Sequence, residues 1–122
     1  MGYPTDIKYT ADHVWAKAEG DVVRLGITEY AAEQLGDVLF VDLPEVGTEF
    51  DNSDVFSEVE SSKTTSELIT PVAGEVVGVN EELDDSPELL NDDPYGAWII
   101  AIRTEDDIDG LMSAADYEAD LD

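Results

Sequence analysis

Val55-Phe56-Ser57-Glu58-Val59-Glu60-Ser61-Ser62-Lys63-Thr64-Thr65-Ser66-Glu67-Leu68-Ile69 is the stretch from which the rest of this 122-residue chain is read. A run over Val55 to Glu60 alternates, with Val55, Ser57 and Val59 on one side. A second short run leads from Glu67 towards Pro71. The small polar residues between them place Lys63 at the tip of a β-hairpin. From Arg24 to Arg103 the chain has no other Lys or Arg. A sequence that avoids cations this strictly has kept one at the end of a hairpin.

The avoidance is a property of the whole chain. It has 31 acidic residues against 5 basic ones, a net charge of −26, and an ordinary 43% of apolar residues. The acids are interleaved with apolar residues rather than gathered in a tail, which describes a carboxylate surface around a normal core. Such a surface repels itself at low ionic strength. At about 1 M salt the Debye length is about 3 Å and most of that repulsion is screened, so the charge reads as adaptation to a salty, halophilic cytoplasm. Nucleic acid is excluded as a partner, since phosphate contacts require Lys and Arg. With no cysteine there is no disulfide or thiolate chemistry. Met1 to Asp6 holds no signal core, and no apolar run is long enough to span a membrane. These features are those of a cytoplasmic monomer with no membrane partner.

Further out, Ile7 to Tyr9 reads as a short edge strand. Val14 to Ala18 and Val22 to Ile27 form a hairpin around Glu19-Gly20-Asp21. Thr28 caps a helix over Glu29 to Leu35, which Gly36 ends. Val38-Leu39-Phe40-Val41 is nearly continuous in apolar residues and reads as a strand buried on both faces. Gly74 to Asn80 is a strand with glycines at points of close approach. Glu81 to Asp93 is an acidic loop in which Pro87 opens a helical turn over Glu88 to Leu90. Asp93-Pro94-Tyr95-Gly96 is a turn, and Trp98 to Arg103 a strong strand. Ser113 with Asp116 forms a capping box for a terminal helix. Gly36-Asp37-Val38-Leu39-Phe40-Val41 echoes Gly74-Glu75-Val76-Val77-Gly78-Val79, one copy on each side of the Lys63 hairpin. The fold class is therefore mostly β: a flattened antiparallel barrel or sandwich of two similar halves with short helices and a C-terminal helix. It forms one domain over residues 1–122, with a core from about 7 to 104 and the terminal helix from about 113 to 121.

The ordered matches Lys8-Tyr9, His13 and Trp15, Leu25-Gly26-Ile27-Thr28, Leu35-Gly36-Asp37, Val41 to Gly47, Val59-Glu60-Ser61-Ser62-Lys63, Pro71 to Val76, Val79-Asn80 and Asp93-Pro94-Tyr95-Gly96 carry a resemblance. Over roughly Lys8 to Tyr117 the chain resembles the H proteins of the glycine cleavage system, relatives of lipoyl and biotinyl carrier domains. The resemblance implies lipoate in amide linkage to Lys63. It implies an arm that takes an aminomethyl group from glycine decarboxylase, presents it to aminomethyltransferase, and is reoxidised by dihydrolipoamide dehydrogenase. A lipoyl-attaching enzyme would load it, and the chain itself would be a non-catalytic carrier. A biotin carrier has Met beside its lysine; Ser62 and Thr64 here favour lipoyl.

In that family a Glu stands where this chain has Val14. That Glu and an acid four residues beyond the lysine are implicated in holding the cargo. Glu67 keeps the second acid. Asp12 is the candidate stand-in for the first, since strand alternation puts positions 12 and 14 on one face. His13 is the candidate for lining the arm's resting groove.

Plainer readings exist for each. Lys63 read alone is a solvated lysine. His13 is a packing or hydrogen-bonding residue, with no triad to serve. Trp15 and Trp98 read as core aromatics. Glu105 to Gly110, with Asp116, is a poor calcium loop, because a strand precedes it. Two other functions stay open at this level. One is an H-like protein that relays lipoyl groups to other complexes; the other is a small acidic hydrolase using paired carboxylates.

Overall fold

Alternation in sequence becomes alternation in burial along Val22–Ile27, where Val23, Leu25 and Ile27 point into the core. The computed structural model describes residues 4–121. Met1–Tyr3, part of the segment read as lacking a signal core, and Asp122 lie outside the described residues. In chain order the elements are β1 (Lys8–Tyr9), β2 (Val14–Glu19), β3 (Val22–Ile27), α1 (Glu29–Leu35), β4 (Val38–Asp42), β5 (Glu49–Phe50), β6 (Val55–Ser61), β7 (Thr65–Ile69), β8 (Gly74–Val79), α2 (Glu82–Asp85), α3 (Leu89–Asp92), β9 (Ile100–Arg103) and α4 (Ala114–Leu121).

The strands form two antiparallel sheets. One has six strands in the order β1-β2-β3-β9-β8-β5, the other three in the order β4-β6-β7. The two echoed segments fall one in each sheet. Between the sheets lies an apolar core that includes Leu25, Ile27, Val41, Phe56, Val59, Leu68, Val76 and Ile102. A second cluster covers the outer side of β1 and β2, where Tyr9 and Trp15 pack against Ala114 and Tyr117 of α4. β2 thus has two buried faces, with Val14 and Ala16 turned to the main core and Trp15 to α4. The Trp15 indole donates to the Pro94 carbonyl at 2.9 Å, which ties the 93–96 turn to this face. Glycine is required where chains touch: a Cβ on Gly74 would lie 2.0 Å from the Arg103 carbonyl oxygen.

Four expectations need correction. β4 is not buried on both faces, since Leu39 is 59% and Phe40 53% exposed. A register irregularity between Val38 and Phe40 turns the pair outward. A second irregularity, between Val55 and Ser57, breaks the expected alternation. Val55 is exposed while Phe56, Ser57 and Val59 are buried. The acidic 81–93 segment is not a loop with one turn; it holds α2 and α3, which bury Leu83 and Leu90. Trp98 precedes β9 and is only half-buried, with the Arg24 guanidinium 5.0 Å from its ring centroid.

Candidate functional site

The hairpin of β6 and β7 closes through one buried serine. The Ser61 hydroxyl accepts from the backbone N–H groups of Lys63 (3.2 Å) and Thr64 (3.1 Å) and donates to the Thr64 carbonyl (3.0 Å). Its own N–H donates to the same carbonyl at 2.8 Å. Ser62 N–H reaches across to the Asp37 carbonyl at 3.0 Å and fastens the tip to the start of β4. Ser61 is therefore the hub of the turn. Lys63 itself is exposed. Among the described residues the ion pairs are Arg24 with Glu19 (2.9 Å) and Arg103 with Glu75 (2.7 Å), and neither engages Lys63. A rigid support thus holds out an amine that is not committed to a carboxylate.

The lysine stem runs along the end of α1. Thr28 caps that helix, accepting from Ala31 N–H, and Gly36 ends it at φ 76, ψ −150. A Cβ on Gly36 would sit 3.2 Å from Lys63 Cε and 3.6 Å from Nζ, so the stem lies where a side chain is missing. Asn91 of α3 holds this corner from beneath. Its Nδ2 donates to the Gly36 carbonyl (2.7 Å) and its Oδ1 accepts from Val38 N–H (2.9 Å).

Beside the hairpin lies a groove of about 400 Å³ whose lining includes Asp12, His13, Tyr30, Leu35, Ser66 and Leu68. Asp12 and His13 are thus brought together with the hairpin, but not by strand alternation. The 10–13 segment is a turn in which His13 adopts φ 67. His is one of the few side-chain-bearing residues that tolerate that conformation. The backbone N–H of His13 donates to the Thr10 carbonyl and its own carbonyl accepts from Thr28 N–H, both at 3.1 Å. Val14, the first residue of β2, is fully buried in the core while Asp12 is exposed, so the two do not share a face. Glu67 is not a lining residue. Ser66 and Leu68 line the groove, and alternation turns Glu67 to the outer face of the three-stranded sheet, opposite Glu58.

His13 is held from several sides. Its Nδ1 lies 2.7 Å from the Tyr117 hydroxyl, and its ring is 4.8 Å from that of Tyr30. The Tyr117 hydroxyl is in turn 2.8 Å from Thr28 Oγ1. Burial pushes the His13 pKa below its ordinary value, against the opposing pull of Asp12 and Asp120. Tyr30, Asn91 and Tyr117 were not legible as site residues, although the Ser113 cap signal located the helix. The buried face of that helix, Ala114 and Tyr117, follows its period.

Another cleft, about 870 Å³, includes Glu49 to Asp51, Gly74, Glu75 and Arg103, and contains no hairpin residue. Among the described residues no group of three or more His, Asp or Glu side chains is placed to hold a metal, the 105–116 segment included. No helix there is long and apolar enough to cross a membrane.

A family model described as glycine cleavage H-protein matches residues 7–122. A glycine cleavage system H protein of Halalkalibacterium halodurans is 52% identical over 118 residues, covering 94% of this chain and 92% of that one. Another, from Bacillus licheniformis, is 50% identical over 121 residues, covering 97% and 95%. The crystal structure of such a protein from Mycobacterium marinum superposes with a TM-score of 0.90 at 41% identity, covering 98% of each chain.

Proposed function

The chain belongs to the glycine cleavage H-protein family, and on that premise we propose that it is a non-catalytic carrier whose arm is a lipoyl group on Lys63. The observation that carries this reading is the exposed, unpaired Lys63 at the tip of a hairpin locked by Ser61, next to a groove large enough for a small molecule. Tethered lipoate supplies a dithiolane that accepts and releases a one-carbon amine. The residues of this chain do the rest. The β6–β7 support fixes the point of attachment, and Gly36 leaves room for the lysine stem. The apolar side chains of Leu35 and Leu68 shelter an uncharged arm. Asp12 offers a carboxylate to a cationic cargo, and His13 lines the same wall.

The cargo is the aminomethyl unit of glycine, taken from glycine decarboxylase and given to aminomethyltransferase. Dihydrolipoamide dehydrogenase restores the arm, a lipoyl-attaching enzyme installs it, and the setting is a halophilic cytoplasm. Glu67, on the outer face, meets such a cargo only when the arm is out of the groove. Family membership favours this reading over a relay role or a hydrolase.

Intact mass of the purified chain, before and after treatment with a lipoyl-attaching enzyme, tests the proposal. One lipoyl adduct is expected, absent from Lys63→Arg. A wild-type chain that stays unmodified under an enzyme active on a control carrier, or an adduct that persists in the variant, refutes it.

A further inference from the structure

We propose that Tyr117 is a positioning residue: through a directed chain of hydrogen bonds from Thr28 to Tyr117 to His13, it holds the imidazole neutral with its proton on Nε2, so that this wall of the groove offers a hydrogen-bond donor and not a base. The direction follows from proton accounting at a buried hydroxyl. Thr28 is fully buried, and its Oγ1 already accepts from Ala31 N–H at 3.2 Å. The other partner of that hydroxyl is the Tyr117 oxygen at 2.8 Å. Unless Thr28 donates to it, a hydroxyl proton is buried without an acceptor, an arrangement native interiors avoid. Tyr117 then takes that proton, and the acceptor the geometry offers for its own is His13 Nδ1, 2.7 Å away. Nδ1 is then an acceptor, and the neutral ring carries its hydrogen on Nε2.

The groups facing the ring agree with this. Tyr117 and Asp120 approach from α4, Tyr30 from α1 and Asp12 from the same turn. The two carboxylates favour the imidazolium, yet burial outweighs them and lowers the pKa. A second proton on Nδ1 would also have to reverse the bond to Tyr117 and turn the tyrosine's proton away from the ring. The consequence deepens the carrier reading, on which it rests only for what the donor faces. An N–H at Nε2 suits a neutral acceptor of the arm, its amide carbonyl or a sulfur. It opposes an ammonium, which is left to Asp12. His13 then recognises the arm and Asp12 the cargo.

The chain has one histidine, so ¹⁵N labelling gives a single imidazole to observe. Long-range ¹H–¹⁵N correlations on the unmodified and the lipoyl-bearing chain are expected to show a protonated Nε2 and a bare Nδ1 at neutral pH. Tyr117→Phe keeps the ring stacked on Tyr9, whose centroid is 4.9 Å away, and removes the donor. It should give a mixture of tautomers and raise the His13 titration midpoint. A wild-type spectrum with the proton on Nδ1 overturns the proposal, and so does a Tyr117→Phe spectrum with the same single tautomer. The Tyr117 hydroxyl proton of the unaltered chain is a second measurement, usable even if the variant does not fold. It should exchange slowly and show a cross-peak to the His13 ring; a freely exchanging proton overturns the proposal. Intact mass on the same sample keeps the two readings apart. The expected tautomer without an adduct defeats the carrier reading alone. An adduct on Lys63 with Nδ1 protonated defeats this one alone.

Discussion

Glu58→Gln should stabilise this protein in dilute buffer and do almost nothing in molar salt. In the register of the three-stranded sheet Asp42 lies opposite Glu58, and Glu58 opposite Glu67. Three exposed carboxylates therefore form one row across three strands, and like charges directly opposite destabilise a sheet. At a carboxylate separation of about 6 Å, Coulomb's law in water gives about 0.7 kcal/mol per neighbouring pair. Glu58 has two such neighbours, so removing its charge relieves about 1.4 kcal/mol before screening. With a Debye length of about 30 Å at 0.01 M salt, about 1 kcal/mol of this survives. At 1 M, where the length is about 3 Å, about 0.2 kcal/mol is left. For a domain of this size about 1 kcal/mol moves Tm by about 4 °C. Thermal melts followed by circular dichroism, variant against wild type at the two salt concentrations, measure it directly. An equal gain at both salts, or none at low salt, refutes the reasoning. The same melts test the halophilic reading, since a wild-type Tm unaffected by salt contradicts it.

Three further outcomes are expected. Gly36→Ala places a Cβ at φ 76, ψ −150, a region almost confined to glycine, and against the lysine stem. It should cost about 1–3 kcal/mol in denaturant unfolding and slow lipoyl attachment to Lys63 measured by mass. Asn91→Asp keeps the acceptor for Val38 N–H but loses the donor to the Gly36 carbonyl, and a loss of about 1–3 kcal/mol is expected in the same unfolding assay. The His13 pKa is lower in the folded chain than its ordinary 6.5, so the unfolded chain binds more protons below that pH. The stability this confers is present above about pH 6.5 and is lost as the pH falls towards the folded value; His13→Gln, compared by melting at pH 7.5 and 5.5, should remove that part of the slope.

What could be read in advance was local. Thr28, Glu29 to Leu35 and Gly36 carry both helix signals within nine residues, and the helix forms where they put it. The Lys63 hairpin announced itself by two flanking strands and a polar centre. The faces of β4 and β6 could not be read, because irregular register at 38–40 and 55–57 shifts which side chains turn inward. Asp12 reached the groove for a reason strand alternation does not supply, the left-handed backbone at His13. Asn91 and Tyr117 act on residues distant in sequence, and no local pattern marks such partners. Tyr117 meets His13 across 104 positions of chain.

That separation sets an order of events during synthesis. The ribosome releases the turn at His13 and the Lys63 hairpin well before it has made α4, so a nascent chain displays the lysine while the groove still lacks its far buttress. A loading enzyme that read only the hairpin would modify unfinished molecules. One that also read the groove would modify finished ones, and the terminal helix would then act as the maturation checkpoint.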